Sequence, residues 1–265
     1  MDKIVKIYAK TLTKKNYSPR TVSTYSSYLE KFLNQSNKNP YHVTTKEIAQ
    51  YLSDSQHSSI SGYNQSIGAL KLFARYILGK KDVHLDKIER PRKNKKLPQV
   101  IDREFILDRI QKIPNLKHRA ILSVAFSVGL RVSEAVNLKI GDIDSKRMLI
   151  SVRQAKGNKD RIVPLSPGIL DLLREYFKAY RPKVYLFNGQ SGSRYSAASC
   201  NKLVKKYLGD GYHFHTLRHS SFTSMLESGT DLRTIQKIAG HSNIKTTELY
   251  THVSASMLAK AHLPL

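Results

Sequence analysis

The sequence has few cysteines, no long apolar run and few acidic residues. Cys200 is the single cysteine among 265 residues, so neither an intrachain disulfide nor a cysteine-based zinc site can form. No stretch approaches the roughly 18 apolar residues that a membrane-spanning helix needs, and residues 1–6 hold no apolar signal region. These absences predict a cytoplasmic protein in a reducing compartment, with no membrane partner.

The shortage of acidic residues leaves a large positive charge. Lys and Arg number 45 against 20 Asp and Glu, which gives a formal net charge of +25. Such an excess favours binding to a polyanion, with nucleic acid as the first candidate; a merely basic soluble protein is the alternative. The charge is shared, since residues 1–97 carry 19 basic and 7 acidic residues and residues 98–265 carry 26 and 13. Both halves are therefore expected to face the same polyanion.

The two halves differ in their patterns and are separated by a basic segment. Residues 89–98 hold five basic residues and two prolines, which disfavour helix and predict an extended linker. Before it, apolar residues at helical spacing predict four short helices. The first is expected around residues 4–12. A second is expected to start at Ser18-Pro19, a third after a capping box at residues 44–47, and a fourth over residues 63–77.

The second half predicts helices around a small sheet. Asp102 can cap one helix, residues 120–128 suit a buried helix, and Ser133 is expected to cap a short helix over 134–138. The β-branched runs 148–152 and 161–165 predict a hairpin with a lysine-rich tip. Further helices are expected at about 167–180, 196–208, 216–228, 231–239 and 243–250. The fold class is thus mainly α with a small β-sheet (α+β).

Four motifs in the second half could carry chemistry. Each alone has an ordinary interpretation, such as a surface ion pair or a tyrosine that packs at a helix end. They are GLRVSEAVNL at 129–138, KGNKDRIVPL at 156–165, HTLRH at 215–219 and GHSNIKTTELYTH at 240–252. In this order they closely resemble the tyrosine recombinases, the family of phage integrases and Xer-type site-specific recombinases. The resemblance covers nearly the whole chain and is loose in the first 97 residues.

The resemblance implies a domain organisation. Residues 1–82 would form a helical, SAM-like core-binding domain that binds DNA, residues 83–98 a basic linker, and residues 99–265 the catalytic domain. In the family the two domains close on duplex DNA as a C-shaped clamp, which agrees with the shared charge.

The resemblance also implies a strand-exchange reaction. Tyr250 would attack a DNA phosphodiester and form a 3′-phosphotyrosyl link, leaving a free 5′-hydroxyl. Arg131 and Arg218 would clamp the non-bridging oxygens, for which a permanently charged, planar guanidinium is suited. Lys156 would protonate the departing 5′-oxygen, with Lys159 as the alternative. Both lysines could instead only contact the DNA backbone.

The remaining family roles fall on histidines and one acid. His215 would assist proton transfer at the tyrosine, and His241 would hydrogen-bond the scissile phosphate. Glu134 would help to orient the site, although a surface carboxylate is an equal interpretation. His219 and His252 are assigned structural roles. The sequence departs from the family after HTLRH, because Ser220-Ser221-Phe222 moves the aromatic residue by one position and so about 100° around a helix.

The implied substrate is double-stranded DNA with inverted half-sites, bound by a homo-oligomer that is a dimer per site and a tetramer in synapsis. The product of one exchange is a Holliday junction, and the role is integration or excision of DNA or resolution of multimers. No cofactor, metal or small-molecule substrate is expected. Bond energy is kept in the phosphotyrosine, so no ATP is needed, and the positive side chains would do the work of a metal. The protein would be encoded by a prokaryote or a phage and would act in the cytoplasm, on the nucleoid. Alternatives are a type IB topoisomerase-like DNA-relaxing enzyme, a non-catalytic DNA-binding accessory protein on the same scaffold, and a basic structural protein.

Overall fold

The structure is a computed structural model that describes residues 2–36, 38–55, 59–80, 85, 87–91, 97–153, 160–190 and 192–251. The chain divides into two compact units, Met1–Lys95 and Lys96–Leu265. Within the described ranges, no helix is long and apolar enough to cross a membrane. The predicted domain bounds at residues 82 and 98 stay predictions.

The first unit is a small helical bundle, as the apolar spacing predicts. Its described α-helices are α1 (Asp2–Lys14), α2 (Pro19–Ser36), α3 (Thr45–Asp54) and α4 (Ile60–Tyr76). The predicted capping box is present, since the Thr44 hydroxyl accepts the Glu47 N–H and the Glu47 carboxylate accepts the Thr44 N–H. The core contains Tyr8, Phe32 and Phe73, all almost fully buried.

The second unit combines eight described helices with one sheet. The helices are α5 (Arg103–Gln111), α6 (Leu116–Val128), α7 (Val132–Asn137), α8 (Pro167–Tyr180), α9 (Ala197–Leu208), α10 (Phe214–Glu227), α11 (Leu232–Ala239) and α12 (Lys245–Glu248). Helix α6 is buried on most of its surface and packs against α8 and α10. It therefore forms the centre of the core, as the apolar run at residues 120–128 predicts. This arrangement confirms the predicted mainly α fold with a small sheet.

The sheet has three antiparallel strands in the order β1 (Ile143–Asp144), β2 (Leu149–Val152) and β3 (Arg161–Pro164). The hairpin pairs Ile150 with Val163 and Val152 with Arg161, which confirms the predicted pairing of these two runs. Because side chains alternate across a strand, Arg161 and Val163 share one face while Ile162 is exposed. The predicted lysine-rich tip, including Lys156 and Lys159, lies outside the described residues.

Helix α6 ends in a left-handed turn at Gly129, two residues before Arg131. Gly129 adopts φ 60°, and a Cβ built there would lie 2.5 Å from the Phe222 ring carbon Cζ. Phe222 is fully buried on α10, so its ring has little space into which it can retreat. A side chain at this position would therefore both strain the backbone and overlap the core.

Gly129→Ala is expected to lower the free energy of unfolding of the second unit by about 2–4 kcal/mol, the sum of left-handed strain and overpacking. Gly229→Ala is the matched control, because Gly229 has φ 88° and a Cβ there meets nothing within 4 Å. Gly229→Ala should lower the free energy of unfolding by about 1–2 kcal/mol, from backbone strain alone. Urea unfolding of both variants measures the difference; equal losses would show that contact with Phe222 adds nothing.

Candidate active site

Five of the six predicted site residues lie among the described residues, and all five belong to the second unit. Arg131 is adjacent to the start of α7, His215 and Arg218 lie on α10, His241 follows α11, and Tyr250 follows α12. Lys156, the sixth, lies outside the described residues, as does His252.

Arg218 is a buried cation at the centre of this group. Its side chain is 1% exposed, and one guanidinium nitrogen, Nη2, donates to the carbonyl oxygen of Ala239 at 2.8 Å. The other, Nη1, donates to the carbonyl oxygen of Gly129. The guanidinium carbon lies 4.7 Å from the centre of the Phe222 ring. Two carbonyls and an aromatic face thus hold the guanidinium in one orientation. Burial, followed by the charge of Arg131, lowers the pKa of Arg218 to about 10, so it stays protonated at neutral pH.

Arg131 stands at the N-cap position of α7, where it is 22% exposed. Its backbone N–H and its guanidinium both donate to the carboxylate of Glu134, at 2.8 and 2.7 Å. The predicted cap at Ser133 is wrong. The helix begins at Val132, because the Glu134 carboxylate accepts the backbone N–H of Arg131, the N-cap residue. Arg131 is thereby anchored while part of its side chain remains open to solvent.

Glu134 organises the cations of the site. Its side chain is 2% exposed, and Arg161 donates to both carboxylate oxygens at 2.8 Å. The Nη1 of Arg218 lies 3.8 Å from Oε2, so three guanidiniums surround one carboxylate. Burial raises the pKa of Glu134, but the hydrogen bonds and charge of Arg161 and then the hydrogen bonds of Arg131 outweigh it and lower the pKa to about 2. The interpretation of Glu134 as a surface carboxylate is therefore wrong.

Arg161 is a site residue that the motif reasoning missed. Besides binding Glu134, its Nε donates to the carbonyl oxygen of Ile238 at 2.6 Å, which ties β3 to the end of α11. The available signal was its place in β3, since period-two alternation puts it on the same face as the buried Val163.

His241 connects the buried Arg218 to α12. It follows Gly240, which ends α11 in the left-handed conformation. Nε2 lies 3.2 Å from Nη2 of Arg218, and Nδ1 lies 3.0 Å from the Thr247 hydroxyl. Burial, followed by the charges of Arg218 and Arg131, lowers the pKa of His241 to about 4, so the ring is neutral near pH 7. Because a guanidinium only donates, Nε2 accepts and Nδ1 carries the proton.

Tyr250 is buried next to these groups and is 2% exposed. Its ring lies 5.4 Å from Phe222 and 6.4 Å from His241, centre to centre. Burial raises the pKa of the hydroxyl to about 12, although Arg218 and Arg131 act in the opposite direction. The displaced aromatic of the sequence, Phe222, thus packs under both Arg218 and Tyr250.

The histidine against the tyrosine hydroxyl is His219. Its Nδ1 lies 3.2 Å from the hydroxyl oxygen of Tyr250. His215 is exposed at the surface and contacts the edge of the His219 ring at a centre-to-centre distance of 4.5 Å. The sequence assigned His219 a structural role, yet the structure places it between His215 and the hydroxyl. The sequence signal that could have pointed to His219 as a site residue was its position directly after Arg218 in HTLRH.

The arrangement can bind an anion beside a hydroxyl. Arg131, Arg161 and Arg218 outnumber the one carboxylate among them, so the cluster keeps a net positive charge. Buried, fixed donors stabilise negative charge more strongly than mobile ones in water. The charges of Arg218 and Arg131 both act on the Tyr250 hydroxyl, so a phosphate that met these two arginines would be in its neighbourhood.

Comparisons with known proteins identify the family of the chain. The chain matches the phage integrase family over residues 102–257 and the N-terminal SAM-like domain of phage integrases over residues 4–82. Tyrosine recombinase XerA of Pyrococcus horikoshii is 34% identical over 271 residues, which cover 97% of this chain and 92% of XerA.

Two solved structures share the fold. The XerH site-specific recombinase bound to palindromic difH substrate has a TM-score of 0.74 at 24% identity, covering 93% of this chain and 80% of XerH. A lambda integrase tetramer bound to a Holliday junction has a TM-score of 0.71 at 16% identity, covering 94% and 76%. With family matches across both units and a close relative along nearly its full length, the chain belongs to the phage integrase family of tyrosine recombinases.

Proposed function

We propose that this site-specific tyrosine recombinase cleaves and rejoins duplex DNA through a 3′-phosphotyrosyl intermediate on Tyr250. The observation that carries the proposal is the position of Tyr250, whose ring lies next to Phe222 and His241, the two residues that also contact the buried guanidinium of Arg218. A phenol is a poor nucleophile at neutral pH, and a phosphate held by cations is a better electrophile.

Arg131 and Arg218 would bind the two non-bridging oxygens of the scissile phosphate. Negative charge grows on these oxygens as the tyrosine oxygen approaches phosphorus, so donors fixed in advance stabilise the transition state more than the ground state. Arg218 is fixed by two carbonyls and Arg131 by Glu134. His241 would donate a hydrogen bond to the same phosphate once Nε2 is released from Arg218 and carries the ring proton, with Nδ1 then accepting from the Thr247 hydroxyl.

In each cleavage one phosphoester would replace another. The bond from phosphorus to the tyrosine oxygen forms, the bond to the 5′-oxygen breaks, and a proton goes to that departing oxygen. We assign this proton to Lys156, on the family resemblance alone. His215, exposed beside the site, would assist proton transfer on the tyrosine side.

The partners follow from charge and from the relatives. We propose that residues 1–82 bind the DNA core site, that residues 83–98 link them to a catalytic domain over 99–265, and that both basic halves contact the duplex. Two protomers would bind inverted half-sites and two such dimers would synapse; the lambda integrase tetramer bound to a Holliday junction supports the tetramer.

A two-step experiment tests the function. Duplex fragments of the source genome that the protein retains are recovered, and nicked versions are then incubated with it and separated under denaturing conditions. We expect a covalent protein–DNA adduct on duplexes that carry inverted half-sites, and initial binding that weakens steeply with salt as phosphate counterions are displaced. Relaxation of plasmids that lack the recovered site would instead indicate the topoisomerase-like activity. Binding with no adduct on any duplex would indicate an accessory protein.

A further inference from the structure

The Tyr250 hydroxyl needs a hydrogen-bond acceptor, because it is buried. The charged groups that act on it are Arg218 and Arg131, and guanidiniums only donate. Nδ1 of His219, at 3.2 Å, is the ring nitrogen that the structure places against it. The phenolic proton therefore points to this nitrogen.

The His219 ring is unprotonated and therefore has a free nitrogen for that proton. Burial, followed by the nearby His215 and Arg218, lowers the pKa of His219 to about 4, so the ring is neutral near pH 7. With Nδ1 as acceptor, Nε2 carries the ring hydrogen. A bound phosphodiester would bring negative charge close to the cations. This charge would raise the pKa of His219 again, because it offsets the repulsion between Arg218 and a protonated ring.

His215 occupies a different place. It is exposed, and its contact is with the ring of His219 rather than with the tyrosine oxygen. A group that removes a proton must reach the atom that carries it, directly or through one water molecule. In this structure the direct position belongs to His219.

We propose that His219 is a catalytic residue and acts as the general base for Tyr250; this inference rests on the proposed function. As the tyrosine oxygen bonds to phosphorus, its O–H bond breaks and the proton passes to Nδ1 of His219. The phosphorus–O5′ bond breaks and its electron pair leaves with the 5′-oxygen. This oxygen takes the proton that was assigned above to Lys156. In rejoining, His219 returns its proton to the departing tyrosine oxygen.

Two substitutions separate proton transfer from positioning. His219→Asn keeps an acceptor close to the Nδ1 position but cannot take a proton, whereas His219→Phe keeps a ring and removes the acceptor. We expect both to slow adduct formation on the nicked recovered duplex by about 10²-fold or more, within the usual range for a general base. Duplex binding and the unfolding midpoint verify that each variant is folded.

His118→Phe is the matched control. His118 Nδ1 lies 3.0 Å from the Tyr207 hydroxyl, so the same kind of pair occurs in the same unit away from the site. This variant should form the adduct at the wild-type rate.

A fluorinated nucleophile provides a readout that a structural role would not change. With 3,5-difluorotyrosine at position 250 the phenol is more acidic and needs a base less, so the His219→Phe penalty should shrink by about tenfold or more. A wild-type rate in His219→Asn, or a penalty unchanged by fluorination, would overturn the proposal. Absence of any adduct with the wild-type protein would instead contradict the proposed function.

Discussion

Tyr250→Phe is expected to abolish the covalent adduct, with a loss on the order of 10⁶-fold, as when a nucleophile is removed from other enzymes that form covalent intermediates. The substitution removes only the oxygen atom that would bond to phosphorus, and the Thr247 hydroxyl that also lies near the site is held by Nδ1 of His241. The measurement is adduct formation on the nicked recovered duplex, resolved on a denaturing gel.

The variant should remain folded and bind the duplex as the wild type does. Among the described residues the lost hydroxyl has one hydrogen bond, to His219, so removing it should change the free energy of unfolding by about 1 kcal/mol. Tyr176→Phe is the matched control, because Tyr176 is also a fully buried tyrosine of the second unit. It should retain the adduct. An adduct that persists in Tyr250→Phe would contradict the assignment of the nucleophile.

Glu134→Gln is expected to lower the free energy of unfolding by about 3–5 kcal/mol, the usual cost of removing one partner from a buried ion pair. Arg161 and Arg218 are 8% and 1% exposed, so losing the carboxylate leaves two buried cations without a counter-charge. The amide would also turn a donor toward guanidiniums that themselves only donate. Urea unfolding of the second unit measures the loss.

Asp171→Asn is the control for a surface ion pair. Asp171 is 71% exposed and contacts Arg174 at 3.1 Å, and such pairs contribute little. A second variant, Glu134→Gln with Arg161→Met, should recover part of the loss because it removes one uncompensated cation. A stability of Glu134→Gln equal to that of Asp171→Asn would contradict the central role of this carboxylate.

The difference in unfolding free energy between the wild type and Glu134→Gln should depend on pH. The folded-state pKa of Glu134, about 2, lies below its ordinary value of 4.5, so the stabilisation is fully present above pH 4.5 and is lost as the pH falls toward 2. Wild type and Glu134→Gln should therefore converge in unfolding free energy over that range.

Local signals in the sequence predicted most of the described fold. The Thr44 capping box, the hairpin of β2 and β3, and the buried helix α6 all depend on residues that are close in sequence. The start of the short helix after Gly129 was misplaced by two residues, because it is set by a side chain within the helix, Glu134, and not by the expected Ser133.

The parts of the site that were missed depend on contacts distant in sequence. His219 meets Tyr250 across 31 residues, and Arg161 meets Ile238 across 77. No periodicity specifies such contacts, since they depend on how α12 and β3 pack against α10 and α11. The shift of the aromatic to Phe222 was visible in the sequence, but its contact with Gly129 needed the three-dimensional packing.

The most direct measurement identifies the residue that carries the DNA. The adduct on the nicked duplex is digested with protease and nuclease, and the nucleotide-bearing peptide is sequenced by mass spectrometry. We expect a nucleotide joined through its 3′-phosphate to the oxygen of Tyr250. A nucleotide on any other residue, or a link through a 5′-phosphate, would contradict the proposed reaction.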